Sequence, residues 1–155
     1  MQVKNRMTQN VYTTGAGTAL NEVWDLMETL GVRHMPVLEN NRLFGIISDR
    51  DVLIRATKLN GKIIVPKTPV REVMTKNVIT CHARSQISQV AALMLENKID
   101  CLPVVEGGLL IGLITTSDLL EILCSISSGG AHQVIPMNFQ MRHYPKVDID
   151  NTNII

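Results

Sequence analysis

The sequence predicts an α+β fold made of two copies of one β-α-β-β-α unit. Residues 7–51 align without a gap onto residues 74–118, at a constant offset of 67 residues. In each copy, an amphipathic helical pattern precedes two short apolar runs that are separated by turn-forming residues. A second helical segment closes each copy. A repeat of this kind means that both copies share a fold, and we expect function where they meet.

The two copies also match at positions with special backbone or polar roles. Identical pairs include Met7/Met74, Thr8/Thr75, Val11/Val78, Thr13/Thr80, Met27/Met94, Pro36/Pro103, Val37/Val104, Gly45/Gly112 and Asp51/Asp118. One copy alone, at roughly 50 to 60 residues, would bury only about 60% of its unfolded surface and be marginally stable. We therefore expect the copies to pack against each other in one compact domain.

Each copy begins with a short apolar and basic segment, here called the lead-in, at residues 3–7 and 70–74. A short β-prone run follows at residues 11–13 and 78–80. The first helix is predicted from apolar residues that recur at the i, i+3, i+4, i+7 spacing of one helical face. These are Leu20, Val23, Trp24, Met27 and Leu30 in the first copy, and Ile87, Val90, Ala91 and Met94 in the second.

A β-hairpin is predicted next in each copy. The apolar runs at residues 35–37 and 43–47 flank Asn40 and Asn41, and those at 102–105 and 109–114 flank Gly107 and Gly108. Asn and Gly tolerate the positive φ that tight turns require. The closing helices are predicted from Arg50 to about Lys58 and from Ser117 to about Ser125.

The predicted organisation has four parts. They are a first repeat over residues 1–58, a connector over 59–69, a second repeat over 70–126 and a C-terminal tail over 127–155. Gly61, Pro66 and Pro69 indicate the connector. The tail has no counterpart in the first copy, and the sequence leaves its role open.

Composition excludes several classes of partner. A net charge of +1 gives no overall field that would attract nucleic acid or a membrane surface. No apolar run approaches the roughly 20 residues needed to cross a bilayer, and the first ten residues lack an apolar signal core. We therefore expect a cytoplasmic protein with no nucleic-acid or membrane partner.

Neither metal binding nor catalysis is predicted. Cys81, Cys101 and Cys124 are odd in number and lack C-x-x-C spacing, so we expect buried, reduced thiols. The histidines show no H-E-x-x-H spacing, and no nucleophile or paired general acid and base is recognisable. The sequence therefore predicts a protein that is not an enzyme and has no catalytic cofactor.

One polar motif occurs at the start of both closing helices. It reads Ser48-Asp49-Arg50-Asp51 in the first copy and Thr115-Thr116-Ser117-Asp118 in the second. S/T-x-x-D before an apolar helix is the signature of a capping box, in which the side chains satisfy the helix's own N–H groups. A helix N-terminus also binds phosphate, and an adjacent aspartate can accept from ribose hydroxyls. Both interpretations stay open, and they are not exclusive.

Taken together, these motifs resemble a known family. The pattern M-T-x-N-V-x-T, an amphipathic helix, h-P-V-h-E and G-h-h-[ST]-x-x-D, present twice, resembles a tandem pair of cystathionine β-synthase (CBS) domains, also called a Bateman module. The resemblance covers about residues 1–126. It implies a pseudo-twofold pair with two clefts shared between the repeats. In many members these clefts bind AMP, ADP, ATP or S-adenosylmethionine.

The resemblance also implies the residues of each cleft. The first, here called the Thr115 cleft, would use Val11, Thr13, Val32, Arg33, His34, Met35, Thr115, Ser117 and Asp118. The second, the Ser48 cleft, would use Ser48, Arg50, Asp51, Val78, Thr80, Ile99, Asp100 and Cys101. Because Arg33 and His34 are basic and Asp100 is acidic, we expect nucleotide in the Thr115 cleft. The Ser48 cleft would take a less charged ligand or stay empty.

Two functions follow as expectations. The first is a regulatory module that senses an adenosine-containing ligand and forms a homodimer, as family members usually do. It would pass on the signal through this self-association or through a separate regulated protein. The alternative is a ligand-free dimerisation or interaction module with the C-terminal tail as its contact element. The sequence does not choose among AMP, ADP, ATP and S-adenosylmethionine, because all of them share base and ribose.

Overall fold

The computed structural model describes residues 1–127, and its secondary structure repeats in two units. The first unit contains β1 (Thr14–Gly15), α1 (Leu20–Leu30), β2 (His34–Glu39), β3 (Arg42–Ser48) and α2 (Asp49–Arg55). The second contains α3 (Ile87–Asn97), β6 (Cys101–Glu106), β7 (Leu109–Thr115) and α4 (Thr116–Ser127). Between them lie β4 (Thr57–Leu59) and β5 (Lys62–Ile64). The predicted α+β fold and its tandem repeat are confirmed.

The first helix of each unit forms because its apolar residues share one face. Leu20, Val23 and Met27 of α1 are buried, as are Val90 and Met94 of α3. Gly31 ends α1 with a left-handed φ of 65°, a conformation that costs glycine little. Within the described residues, no helix has both the length and the apolar character needed to cross a membrane.

Both predicted hairpins are present, with equivalent register. Val37 of β2 lies opposite Gly45 of β3, and Val104 of β6 lies opposite Gly112 of β7. The two residues of each turn have positive φ, at Asn40 and Asn41 in the first unit and at Gly107 and Gly108 in the second. The turn chemistry read from the sequence therefore sets the register of both hairpins.

The first strand was predicted in the wrong place. Residues 11–13 are not a strand. Instead, β1 begins at Thr14, which pairs in parallel with Val37. The second unit has only a single bridge here, from Cys81 to Val104. Tyr12 is exposed, so the β propensity of this run is overridden by its position along a cleft.

The second helix of the first repeat ends earlier than predicted, and a hairpin follows it. Helix α2 ends at Arg55 rather than near Lys58, because the next residues form an antiparallel hairpin of β4 and β5. Asn60 and Gly61 form its turn with φ of 49° and 77°. Asn-Gly is the strongest short-range hairpin signal, and the sequence analysis missed it among the glycine and prolines of this segment.

Each unit completes its core with the lead-in of the other unit. Val3, which is 0% exposed, packs into the second core with Val90, Leu102 and Ile114. Reciprocally, Val70 and Met74 belong to the first core. Sequence analysis predicted that the copies pack together, but it did not predict this exchange.

Backbone hydrogen bonds fix the exchange. Thr8 and Leu113 donate to each other's carbonyls at 2.9 Å, in both directions. Thr75 and Ile46 form the equivalent pair at 2.9 and 3.0 Å. Strands β3 and β7 contact each other, so that the two hairpins, each with its own core, lie side by side.

Close approach at Gly45 gives a stability prediction. A Cβ at Gly45 would lie 2.5 Å from Met74 Sδ and 2.9 Å from the Thr75 carbonyl oxygen. We expect Gly45→Ala to lower the free energy of unfolding by about 1–3 kcal/mol, because the backbone carbonyl cannot move aside without breaking its pairing. Urea denaturation measures the change.

Gly15→Ala is the matched control, since its nearest neighbour, Thr18 Oγ1, lies 3.6 Å from the added Cβ. Its effect should stay within about 0.5 kcal/mol. Equal midpoints for both variants would show that the exchanged segment does not pack tightly on β3.

Candidate functional site

The repeated polar motif forms a capping box in both units. The backbone N–H and hydroxyl of Ser48 donate to Asp51 Oδ2, each at 2.8 Å, and the Asp51 N–H donates to Ser48 Oγ at 3.3 Å. Thr115 and Asp118 repeat the arrangement, at 2.6, 2.8 and 3.4 Å. Each carboxylate therefore anchors the start of its own helix, whatever else it binds.

A cavity of about 290 Å³, here called the Thr115 cavity, lies where the chain that follows the first lead-in passes the start of α4. It is lined by Thr8, Asn10, Val11, Tyr12, Gly31, Val32, Arg33, His34, Asp100, Leu113, Thr115, Thr116 and Ser117. Small-molecule sites typically have volumes of about 300–1,000 Å³, so this cavity suits a small ligand. Both repeats contribute to its wall.

Most residues predicted for the Thr115 cleft meet in this cavity. Val11, Val32, Arg33, His34, Thr115 and Ser117 line it. Asp118 is joined to the lining through its bonds with Thr115. Thr13 instead lines a second cavity of about 250 Å³, and Met35 is buried in the first core. The side chain of Met35 therefore packs in the protein interior.

Sequence reasoning missed several lining residues. Thr8, Asn10 and Tyr12 line the cavity because the exchanged lead-in runs beside Leu113 of β7. Thr8 and Asn10 belong to the M-T-x-N pattern, which occurs in both copies. That repeated pattern was the available signal.

The residues predicted for the Ser48 cleft differ in how far they are buried. Ser48 and Asp51 are held together by their capping bonds, and Arg50 and Thr80 are exposed. Val78 and Ile99 are half-buried, and Cys101 is buried in β6. Asp100, which the sequence assigned to this cleft, lines the Thr115 cavity instead.

Asp100 pairs with a base of the other repeat. Its Oδ1 lies 2.9 Å from His34 Nε2. Arg33 occupies the position equivalent to Asp100, but Asp49 at the start of α2 holds its Nε at 3.2 Å. The residue equivalent to Asp49 is the neutral Thr116, so Asp100 has no such local interaction and reaches across the repeats.

These two acid–base contacts correct the predicted electrostatics of the cavity. Arg33 and His34 were expected to favour nucleotide in the Thr115 cleft because they are basic. Each faces a carboxylate, from Asp49 and Asp100 respectively. The wall therefore offers much less net positive charge to a phosphate than its basic residues alone indicate.

The cysteines do not supply a reactive group to the site. Cys81 and Cys101 are buried as predicted, whereas Cys124 is exposed, contrary to prediction. Burial raises the pKa of the Cys81 thiol to about 11. Burial, followed by the nearby carboxylates of Asp100 and Asp118, raises the pKa of Cys101 well above its usual range. Both thiols therefore stay protonated at neutral pH and are poor nucleophiles.

The arrangement of titratable groups does not suggest a metal site either. Within residues 1–127, no cluster of three or more His, Cys, Asp or Glu side chains is placed to hold a metal ion.

Comparison with known proteins identifies the family. The sequence pattern of the CBS domain matches residues 3–57 and 70–125. The chain belongs to the CBS domain family. It is 30% identical over 129 residues to CBS domain-containing protein YhcV of Bacillus subtilis, an alignment that covers 83% of this chain and 90% of that one.

The chain also matches part of a longer protein. The chain is 35% identical over 123 residues to homoserine O-acetyltransferase of Methanococcus vannielii. That alignment covers 78% of this chain and 24% of the relative, so the chain spans about a quarter of that protein's length.

Solved structures show the same CBS pair fold. A Vibrio cholerae protein assigned to acetoin utilization (AcuB) superposes with a TM-score of 0.70 at 33% identity, covering 83% of this chain and 93% of that one. The CBS domain pair of protein MJ0100, in complex with 5′-methylthioadenosine and S-adenosyl-L-methionine, gives a TM-score of 0.68 at 24% identity. That alignment covers 79% of this chain and 99% of the MJ0100 pair, and at this identity it is a likeness of fold.

The capping boxes generate a matched pair of predictions. Asp118→Ala and Asp51→Ala should each lower the free energy of unfolding by about 0.5–2 kcal/mol, because each removes the acceptor of a helix-start cap. Urea denaturation without added ligand measures both. Glu28→Ala, at an exposed position on α1, is the control and should change stability by less than about 0.5 kcal/mol. Wild-type stability in both Asp variants would rule out the capping role.

Proposed function

We propose that the chain is a regulatory CBS module that binds an adenosine-containing ligand in the Thr115 cavity. The observation that carries the proposal is that one cavity of nucleoside size takes its walls from both repeats. A ligand there contacts the first lead-in and the start of α4 at once. Occupancy is thereby linked to the packing of one repeat on the other.

The lining offers groups suited to both halves of a nucleoside. Val11, Val32 and Leu113 give an apolar surface for the base, and the exposed ring of Tyr12 can stack on it. Ser117 provides a hydroxyl at the positive end of the α4 dipole, whereas the hydroxyls of Thr115 and Thr116 form bonds within the protein. Asp118 uses Oδ2 for capping, which leaves Oδ1 to accept from ribose hydroxyls.

Ligands of relatives by fold support this class of compound. The MJ0100 pair holds 5′-methylthioadenosine and S-adenosyl-L-methionine, both of which contain adenosine. AMP, ADP and ATP share the same base and ribose. We therefore propose adenosine as the common recognised part, acting as a regulatory ligand and not as a catalytic cofactor.

We propose that ligand binding is signalled through the association of two copies of the chain. Several large apolar side chains on α2, α3 and α4 are exposed, which supports a homodimer in which a second copy covers them. They are Leu53, Ile54, Leu95, Leu120 and Ile126. A ligand that favours one packing of the repeats by about 1–3 kcal/mol would be enough to change such an interface, or the affinity for a separate regulated protein in the cytoplasm.

The alternative is a ligand-free dimerisation or interaction module. Fully formed capping boxes favour it, since the motif is satisfied internally without any ligand. Its proposed contact element, the tail, lies almost entirely outside the described residues.

A thermal-shift experiment separates the two. AMP, ADP, ATP, 5′-methylthioadenosine and S-adenosylmethionine are tested against the parent, with GTP as the nucleotide control. A ligand at 100 times its dissociation constant should add about 2.7 kcal/mol of stability. Asp118→Ala should lose this gain. Asp51→Ala should keep it, and it is the matched control because it loses the same type of cap on the other helix.

Two results would contradict the proposal. Retained binding in Asp118→Ala together with lost binding in Asp51→Ala would move the site to the Ser48 cleft. No shift of the parent with any adenosine compound would favour the ligand-free module.

A further inference from the structure

We propose that Asp100 determines the ligand selectivity of the Thr115 cavity. It disfavours phosphorylated adenosines and leaves the cavity selective for adenosines whose 5′ substituent carries no net negative charge. The inference rests on the proposed function, because it specifies the class of adenosine compound that the same cavity takes.

The first argument is the pairing of His34. Asp100 Oδ1 lies 2.9 Å from His34 Nε2, and the side chains are 38% and 14% exposed respectively. The carboxylate is thus the more accessible partner at the cavity wall. A phosphate that approaches His34 would meet Asp100, and like charges a few ångströms apart repel more strongly at a partly buried site than in water.

The second argument is the start of α4, where helix amides would otherwise attract an anion. The carbonyl oxygen of Asp100 accepts the Thr116 N–H at 3.0 Å and the Thr116 hydroxyl at 3.3 Å. The Asp118 N–H donates to Thr115 Oγ1 at 3.4 Å. The Thr116 amide, the Thr116 hydroxyl and the Asp118 amide, which could otherwise hold a phosphate, are therefore already used within the protein, two of them by Asp100 itself.

The third argument is the charge of the whole lining. Among the described residues that line the cavity, Arg33, His34 and Asp100 are those with ionisable side chains other than tyrosine. Arg33 is held by Asp49 at 3.2 Å, and its side chain is 61% exposed. The cavity wall thus has no uncompensated cation, whereas phosphate sites depend on such cations or on free helix amides.

Isothermal titration calorimetry with 5′-methylthioadenosine and AMP tests the inference. The parent should bind 5′-methylthioadenosine at least about tenfold more tightly than AMP, because Asp100 repels the phosphate of AMP. In Asp100→Asn, which keeps the size of the side chain, the preference should fall by about tenfold, mainly through tighter AMP binding. Circular dichroism verifies that the variant is folded.

Two further variants sharpen the test. Glu106→Gln removes the same charge at an exposed position at the opposite end of β6, so the preference should stay at the parent value. His34→Gln leaves Asp100 without its basic partner, so AMP should bind even more weakly relative to 5′-methylthioadenosine. This opposite shift distinguishes a charge effect from a general loss of structure.

The outcomes are distinguishable. An unchanged preference in Asp100→Asn, or a parent that prefers AMP, overturns the role of Asp100 while the proposed function stands. A shift of equal size in Glu106→Gln also overturns it, because the effect would then be one of overall charge. If neither compound binds the parent or Asp100→Asn, this inference fails, and the proposed function fails with it when ADP, ATP and S-adenosylmethionine do not bind the parent either.

Discussion

The exchange of lead-in segments between the repeats is the constraint on which the rest of the structure depends. Val3 is buried in the core of the second repeat, and Val70 and Met74 are buried in the core of the first. Each repeat therefore lacks part of its own core until the other is in place. The same exchange carries Thr8 to Leu113 and so builds one wall of the cavity from the first repeat. Folding and site formation thus have a common cause.

A near-symmetric backbone carries different charges in the two repeats. Arg33 and Asp100 occupy equivalent positions, yet they differ in sign and in partner. A local acid holds Arg33, while Asp100 crosses to His34. One unit, used twice, therefore gives a cavity wall whose charge depends on a few side chains, while the capping boxes keep both helix starts in place.

Local sequence patterns were enough to predict most of the fold. They did not predict the contacts between residues that are distant in the sequence. Helical spacing identified α1 and α3, and the Asn and Gly turns identified both hairpins, because these signals act over a few residues. The apolar character of Val3 indicated burial but not the repeat in which it is buried. The Asp100–His34 pair depends on how the repeats meet, so the equivalence of repeat positions, which assigned Asp100 to the Ser48 cleft, did not predict its contact with His34.

The most direct test of the exchanged core is whether the two repeats unfold in one transition. Trp24 is the single tryptophan and packs against the first core, whereas far-UV circular dichroism reports the helices of both repeats. In Val3→Ala the truncated side chain belongs to the second core, yet we predict that the urea midpoints read by both probes move together. An unshifted Trp24 transition, with circular dichroism resolving into two steps, would mean that the repeats fold independently and would contradict the account.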